Sequence, residues 1–296
     1  MSVPGMPLRI LISGQHGQVS QALQQSLNGM GELVVLGRDR FDLSQPQSLR
    51  TQVRDIKPDL IINAAAHTAV DQAQSEPELA LTINGVSPGV LAQEAEKLGI
   101  PLIHYSTDYV FDGSKETPWN ESDIPNPLGV YGSSKLAGEQ AIAAVGGQHL
   151  ILRTSWVYSL VGHNFLLTMQ RLLQEREKLT IVADQIGAPT WAGTIARSTR
   201  QLIERWQRGE QGAWGVYHLT ASGETSWFGF AQAIGWQLIK QGKRCATLEP
   251  IPSSAYPTPA TRPLNSRLDC SLLQREWGVS QPHWHDALLE CLAQQR

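Results

Sequence analysis

Long apolar runs are missing from this chain. No stretch approaches the ~18 residues that a bilayer-crossing helix needs. Runs of basic charge are missing too: Lys and Arg total 24 against 27 Asp and Glu, for a formal net charge of −3. Nucleic acid and anionic membranes are therefore poor candidates as partners. Cysteine is scarce. Cys245, Cys270 and Cys291 are odd in number and widely spaced, with neither zinc-ligand spacing nor a disulfide pattern, which suits a reducing cytosol. The opening MSVPGMPLRILIS lacks the long h-region and small-residue cleavage site of a secretory signal, and its first residues read as a short floppy leader before a strand. Internal repeats, low-complexity tracts and charge blocks are also missing. These features predict a soluble cytoplasmic protein, and 296 residues suffice for one large or two medium domains.

What is present is an alternation of short apolar runs with amphipathic stretches. Leu8–Ile12 is the first run, and it ends in Ser13-Gly14-Gln15-His16-Gly17-Gln18-Val19-Ser20 before the helical pattern of Ala22, Leu23 and Leu27. Strand, glycine turn and helix together let backbone N–H groups and a helix N-terminus hold a pyrophosphate. The spacing places Ser20 where the third glycine of a dinucleotide fingerprint would stand, and that glycine serves close helix–strand packing. Glu32–Leu36 reads as the second strand, ending in Gly37-Arg38-Asp39-Arg40. An acidic residue near this point binds a ribose 2′-OH, whereas an Arg accommodates a 2′-phosphate. Arg38, with Arg40 close by, favours NADPH, and Asp39 keeps NADH open.

Asp42, Leu43 and Ser44 then lead into a helix with Ser44 as the expected N-cap and Pro46 in its first turn. The next buried strand, near Leu60, ends in Asn63-Ala64-Ala65-Ala66, small enough for a flat ligand to lie against the backbone. A long helix is expected from about Glu76 to Leu98, with Asn84 inside it as a buried hydrogen-bonder. The strand Pro101–Tyr105 follows, so Ser106, Thr107 and Asp108 project from its carboxyl end, the edge that faces the ligand crevice of an open parallel sheet. After a polar linker comes Tyr131-Gly132-Ser133-Ser134-Lys135. Residues four apart share one helical face. A Lys ammonium beside a phenol favours the phenolate, which predicts a Tyr131 pKa below its usual ~10. Such a phenol exchanges a proton with a carbonyl or alcohol.

A further strand near His149 carries Thr154, Ser155 and Trp156 at its tip. Beyond it the rhythm loosens, seven of the nine tryptophans lie after residue 190, and residues 251–268 form a proline-rich loop bearing Arg262 and Arg267. The expected fold is α/β: a Rossmann-type doubly wound parallel sheet with a smaller, irregular α/β substrate domain. The dinucleotide-binding domain is expected over 1–155, completed by segments near 180–210, and the sugar-nucleotide domain over 156–296.

The motifs G-x-x-G-Q-V, NAAAHTAVD, HYSTDYVFDG, PLGVYGSSKLAGE, RTSWVY, DQIGAPT and YPTPATRPLNS span nearly the whole chain. Together they resemble the extended short-chain dehydrogenase/reductases. Within that family they resemble the branch that reduces the C4 ketone of dTDP-4-dehydro-β-L-rhamnose to dTDP-L-rhamnose, for cell-surface polysaccharide. The resemblance implies a dTDP-sugar substrate and NADPH, with NADH as the second candidate. By position it makes Tyr131 the proton donor and Lys135 its tuning partner, which also holds the nicotinamide ribose. Thr107 would bond the sugar C4 oxygen, and Asp108 and Trp156 would line the sugar pocket. Cofactor contacts would come from Gly14, Gly17, Gln18, Val19, Arg38, Asp42, Leu43, Ala65, Ala66, Thr68 and Tyr105. Arg262 is the candidate for the nucleotide diphosphate, because Arg pairs a phosphate bidentately. Some relatives share a magnesium ion between subunits through acidic residues; Ala22 stands at the matching position, so no metal is expected. A monomer or homodimer is expected. Two alternatives stay open: a sister dTDP-ketosugar reductase or epimerase, and a non-catalytic regulatory subunit of a methionine adenosyltransferase.

Overall fold

A computed structural model describes residues 7–295; the leader expected at the start lies outside them. Strands β1 (Leu8–Ser13), β2 (Gly31–Leu36), β3 (Leu60–Asn63), β4 (Leu102–Thr107) and β5 (His149–Thr154) form one sheet with Gly215–His218. Their order is Gly215–His218, β5, β4, β3, β1, β2, and every pairing is parallel. Strands covered on both faces read as near-continuous apolar runs, as LRILIS, LIIN and HLILRT do. Because side chains alternate, Ile10, Ile12, Ile62 and Leu152 face one way and Leu11, Ile61 and Ile151 the other. The first face packs Leu23 and Leu27 from α1 (Gln18–Ser26) and its C-terminal turn, with Ile195, Leu202 and Ile203 from the helix Ala192–Gln207. The second packs Leu49 and Val53 of α2 (Pro46–Ile56), with Val90, Leu91 and Ala95 of the helix Ser87–Leu98.

β1 lies between β2 and β3, so the strand order reverses there. Ligand crevices open at such a switch point, beyond the carboxyl ends of the strands. The long helix expected from Glu76 to Leu98 is interrupted: Pro77–Leu81 runs into a π-helical turn, Thr82–Val86, and then Ser87–Leu98. Pro88 has no N–H to give the ladder, and the wider turn accommodates that loss. Asn84 sits inside it. Gln45, not Ser44, takes the N-cap position of α2, because the Ser44 N–H is already drawn to Asp42 Oδ1 at 2.9 Å.

The remaining chain builds a second core from Tyr158, Leu166, Phe230, Ile234, Trp284 and Leu288. Short strand pairs frame it: Lys178–Val182 with Thr247–Ile251, Ile186–Gly187 with Thr225–Ser226, and Val157–Tyr158 with Thr190–Trp191. Gln18 ties this part to the glycine turn. Its Oε1 accepts from Ser159 Oγ and from Asn164 Nδ2, each at 2.9 Å.

Candidate active site

At the carboxyl end of β1 the backbone turns sharply. Gly14 has φ +83°, a region L side chains rarely adopt, and a Cβ there would press on Ala65 at 3.1 Å. The Gly17 N–H closes the turn on the Gly14 carbonyl at 2.8 Å, and α1 starts at the next residue. In front of this turn lies a cavity of about 350 Å³ lined by Gly14, Arg38, Asp42, Leu43, Ala65, Ala66 and Thr68, among others. The structure thus gathers seven of the expected cofactor residues into one hollow. Arg38 stands at its open rim with a largely exposed side chain, 3.7 Å from Asp42. Val19 instead packs against the core, and Gln18 is engaged as described above. Ser20 is fully buried on α1, and its Oγ has no hydrogen-bond partner among the described residues.

The next part of the site comes from β4. Its alternation turns His104 and Ser106 towards the helix Val130–Val145, where Lys135 Nζ lies 3.2 Å from His104 Nε2 and Glu139 Oε1 accepts from Ser106 Oγ at 2.5 Å. Tyr105 points the opposite way. Its ring joins the core and its hydroxyl meets Thr199 Oγ1 at 2.7 Å, so its phenol lies away from the crevice and burial pushes its pKa up. What Tyr105 offers the site is its carbonyl, which accepts from Lys135 Nζ at 2.6 Å.

Tyr131 and Lys135 share the helix, and Thr107 reaches the phenol from the strand end. Burial pushes Tyr131 up to about 12, while its hydrogen bond with Thr107 works the other way and the Asp108 charge adds to the rise. The expectation that Lys135 would pull the phenol below its usual range fails. Lys135 is itself buried and turned to Tyr105 and His104, so desolvation governs both groups. Burial lowers Lys135 to about 8, opposed by the negative charge of Glu139. Glu139 in turn is held by Arg153 of β5, Nε to Oε1 at 3.0 Å and the terminal nitrogen to Oε2 at 2.6 Å.

Asp108 is buried beside Thr107, whose Oγ1 donates to its Oδ1 at 3.1 Å. Its Oδ2 has no partner among the described residues, and burial lifts the carboxyl to about 6 against hydrogen bonds from Ser266 and Thr107. Trp156 has φ +49° and lies flat on Trp227, centroids 3.7 Å apart. Gly187 makes room for it, since a Cβ there would strike the indole at 2.7 Å. Trp227 is held by Gln185 Oε1, 3.1 Å from its Nε1. Neither Trp227 nor Ser266 was expected in the site; the only sequence signal was their place in an aromatic-rich half and a proline-rich loop.

Arg262 is engaged within the chain. Its two terminal nitrogens each meet a carboxylate oxygen of Asp71 at 2.7 Å, and one also donates to Ala260 O at 2.6 Å. The fork expected to grip a diphosphate is filled by a carboxylate of the same shape, and it clamps the proline-rich loop to the helix Val70–Ser75. Asn84, from the π turn, bonds the N–H and carbonyl of His67 at 2.8 and 3.0 Å, and Ser134 Oγ at 3.0 Å. It therefore fixes the cavity wall to the Tyr131 helix. Among the described residues no cluster of three or more His, Cys, Asp or Glu is placed to hold a metal ion.

A doubly wound sheet with a Tyr131–Lys135 helix beside a glycine-turn cavity defines a short-chain dehydrogenase/reductase. The profile described as "RmlD substrate binding domain" matches residues 8–296. The dTDP-4-dehydrorhamnose reductase of Burkholderia thailandensis is 47% identical over 292 residues, covering 96% of this chain and 98% of that one. That of Escherichia coli K12 is 45% identical over 94% of each. Among solved structures, a dTDP-4-dehydrorhamnose reductase from Clostridium acetobutylicum superposes with a TM-score of 0.90 at 33% identity, over 97% of this chain and 99% of that one. The Bacillus anthracis reductase, solved in complex with NADP, gives 0.89 at 32%, over 98% and 100%. The chain belongs to the dTDP-4-dehydrorhamnose reductase family.

Proposed function

We propose that the chain reduces the C4 ketone of dTDP-4-dehydro-β-L-rhamnose to dTDP-L-rhamnose, with NADPH as the favoured hydride donor and NADH as the second. Its relatives carry that activity in their names, and one was solved with NADP. The observation that carries the reading is the placing of Tyr131 and the buried Lys135 on one helix, with Lys135 Nζ on the Tyr105 carbonyl of β4, two residues before Thr107 at the strand's carboxyl end. The three free cysteines fit a reducing compartment, and we place the reaction in the cytoplasm.

The cavity fits a dinucleotide. A Cβ at Gly14 would fill the space against Ala65, and the small residues Ala65, Ala66 and Ala69 line the cavity together with Arg38. Bound there, the nicotinamide supplies the hydride. The turn closed by Gly14 and Gly17 aims the N-terminus of α1, from Gln18 onward, at the crevice, and the first N–H groups of that helix are the donors for the pyrophosphate. Arg38, beside Asp42, is the group for a 2′-phosphate.

The protein's own part is to deliver a proton as charge develops on the C4 oxygen. A phenol held up at about 12 is fully protonated at neutral pH, the form a reduction needs. Tyr131 donates that proton, and the Thr107 hydroxyl, turned from Asp108 Oδ1 to the substrate, is a second donor for the same oxygen. Lys135, nearby and cationic below about pH 8, stabilises the phenolate left behind. Asp108 and the Trp156–Trp227 stack shape the sugar pocket. Arg262 acts through the loop it holds.

The test is oxidation of NADPH, then NADH, by purified protein with enzymatically made ketosugar, and NMR of the product. Tyr131→Phe should keep NADPH affinity and lose turnover by about 10²–10⁴-fold. A Tyr131→Phe protein with the parental rate would sink the mechanism. A product altered at another carbon would point to a sister reductase or epimerase. Folded protein that binds NADPH and turns over neither cofactor would point to the regulatory-subunit reading.

A further inference from the structure

One buried group beside the reacting residues has no part in the mechanism above. His104 is 1% exposed and lies on β4 next to two partners of different kind. Lys135 Nζ is 3.2 Å from its Nε2, and the Asn63 amide nitrogen is 3.0 Å from its Nδ1. Asn63 Oδ1 is in turn 2.6 Å from Ser13 Oγ, which accepts the Ala65 N–H at 3.2 Å. The sheet register explains the row: Ser13 of β1 pairs with Asn63 of β3, which pairs with His104 of β4. Three neighbouring strands thus carry a polar line from the glycine turn to Lys135, above the apolar row of Leu11, Ile61 and Leu102.

Hydrogen-bond accounting makes this line sensitive to charge. An ammonium can only donate. If Lys135 is ionised, His104 Nε2 must accept, Nδ1 must carry the proton, and Asn63 must present its oxygen to Nδ1 and its nitrogen to Ser13. If Lys135 is neutral, it can accept from Nε2–H, and Asn63 faces Nδ1 with its nitrogen. As placed, Asn63 faces Nδ1 with its nitrogen, the second arrangement; an amide has the same shape either way, so turning it over gives the first in the same space. Burial in apolar surroundings keeps the imidazole itself neutral, and the Lys135 charge next to it adds to that effect.

We propose that His104 is the positioning residue for Lys135, and that the ionised lysine selects the Nδ1–H tautomer of His104. Tyr105 O and His104 Nε2 then occupy two of the three ammonium donors, leaving one for the cofactor side of the crevice. The other charged neighbour of Lys135 is Glu139 on the same helix, itself bidentate to Arg153 of β5. Tyr131 shares the helix, and its phenol is neutral in the working range. The proposal rests on the reductase reading above.

The experiment compares His104→Phe and His104→Gln with the parental enzyme. Gln can place an acceptor near the Nε2 position; Phe cannot. Removing an acceptor that favours the ammonium should lower the pH at which kcat falls by about one unit, and lower kcat by about 10-fold to 100-fold with KM for the ketosugar little changed. His104→Gln should recover most of both. A ¹⁵N-histidine spectrum of the parental enzyme, with His104 assigned from its loss in His104→Gln, should show Nδ1 protonated and Nε2 bare at pH 7. An unmoved alkaline limb in a folded His104→Phe, or an Nε2–H tautomer at pH 7, would overturn the proposal. The NMR arm stands even if His104→Phe does not fold. Parental protein with no turnover would count against the reductase reading, while the tautomer would still test His104.

Discussion

The helix that carries Tyr131 and Lys135 lies so close to its neighbours that one methyl group should disable the enzyme. Gly132 follows Tyr131 directly and is buried against β4's exit. A Cβ there would land on the Tyr109 carbonyl oxygen, well inside van der Waals contact, and 2.9 Å from Pro127 Cβ. The oxygen belongs to backbone in the turn Asp108–Val110, so no rotamer change can clear it. Relief requires the helix start to retreat by about 1 Å, since close-packed interiors have no slack. Overpacking of this kind costs about 1–3 kcal/mol, or roughly 2–5 °C in Tm for a chain of this size. The catalytic cost is larger, because a displacement of about 1 Å between reacting groups can lower kcat about 10²-fold. Gly132→Ala should therefore lose about two orders of magnitude in kcat while remaining largely folded at 25 °C. Ser133→Ala, on the exposed side of the same turn, should change stability by less than about 0.5 kcal/mol and leave kcat alone. Steady-state kinetics and a thermal melt on both variants decide it. A Gly132→Ala protein with parental kcat would refute the claim that this approach positions Tyr131.

Glu94 is buried on the helix Ser87–Leu98, and Arg54, with Lys97, holds its carboxyl down to about 2. A depressed carboxyl stabilises the fold fully above its unfolded value of 4.5 and loses that contribution as pH falls towards 2. Arg54 and Lys97 are more than half exposed, so after screening Glu94→Gln should cost about 1–2 kcal/mol at pH 7 in urea unfolding. The gap should close between pH 4.5 and 2, and a gap independent of pH would refute the assignment. Arg38→Ala should raise KM for NADPH about tenfold or more and leave KM for NADH unchanged, since only the former carries a 2′-phosphate; equal losses would assign Arg38 to another task.

Much of the frame was legible because it rests on local rules. Apolar runs of four to six residues that end in Asn or Thr, or run into Gly, mark five strands and their crevice ends, and these stack with Gly215–His218 in one parallel sheet. The four-residue spacing of Tyr131 and Lys135 survives as a shared helix face for the same reason. What escaped depends on the other side of a contact. Arg262 carries no mark of Asp71, 191 positions away, nor Trp156 of Trp227.

The Tyr131 charge state is the sharpest case. Spacing places an ammonium near the phenol, and an ammonium alone would lower its pKa. The outcome turns on burial: Lys135 is packed against β4, and the phenol of Tyr131 is enclosed near the end of that strand. Desolvation raises a phenol and lowers an amine, so the pair is driven towards the neutral form of each. A reductase benefits from that direction. In the proposed mechanism it begins each cycle with a protonated phenol, and it needs the lysine charge only as the phenolate forms. The same strand that buries Lys135 also supplies Tyr105 O and His104 to hold the amine. Burial and positioning of the lysine therefore come from one element, β4. The residues on its inward face are the place to look for further control of the chemistry.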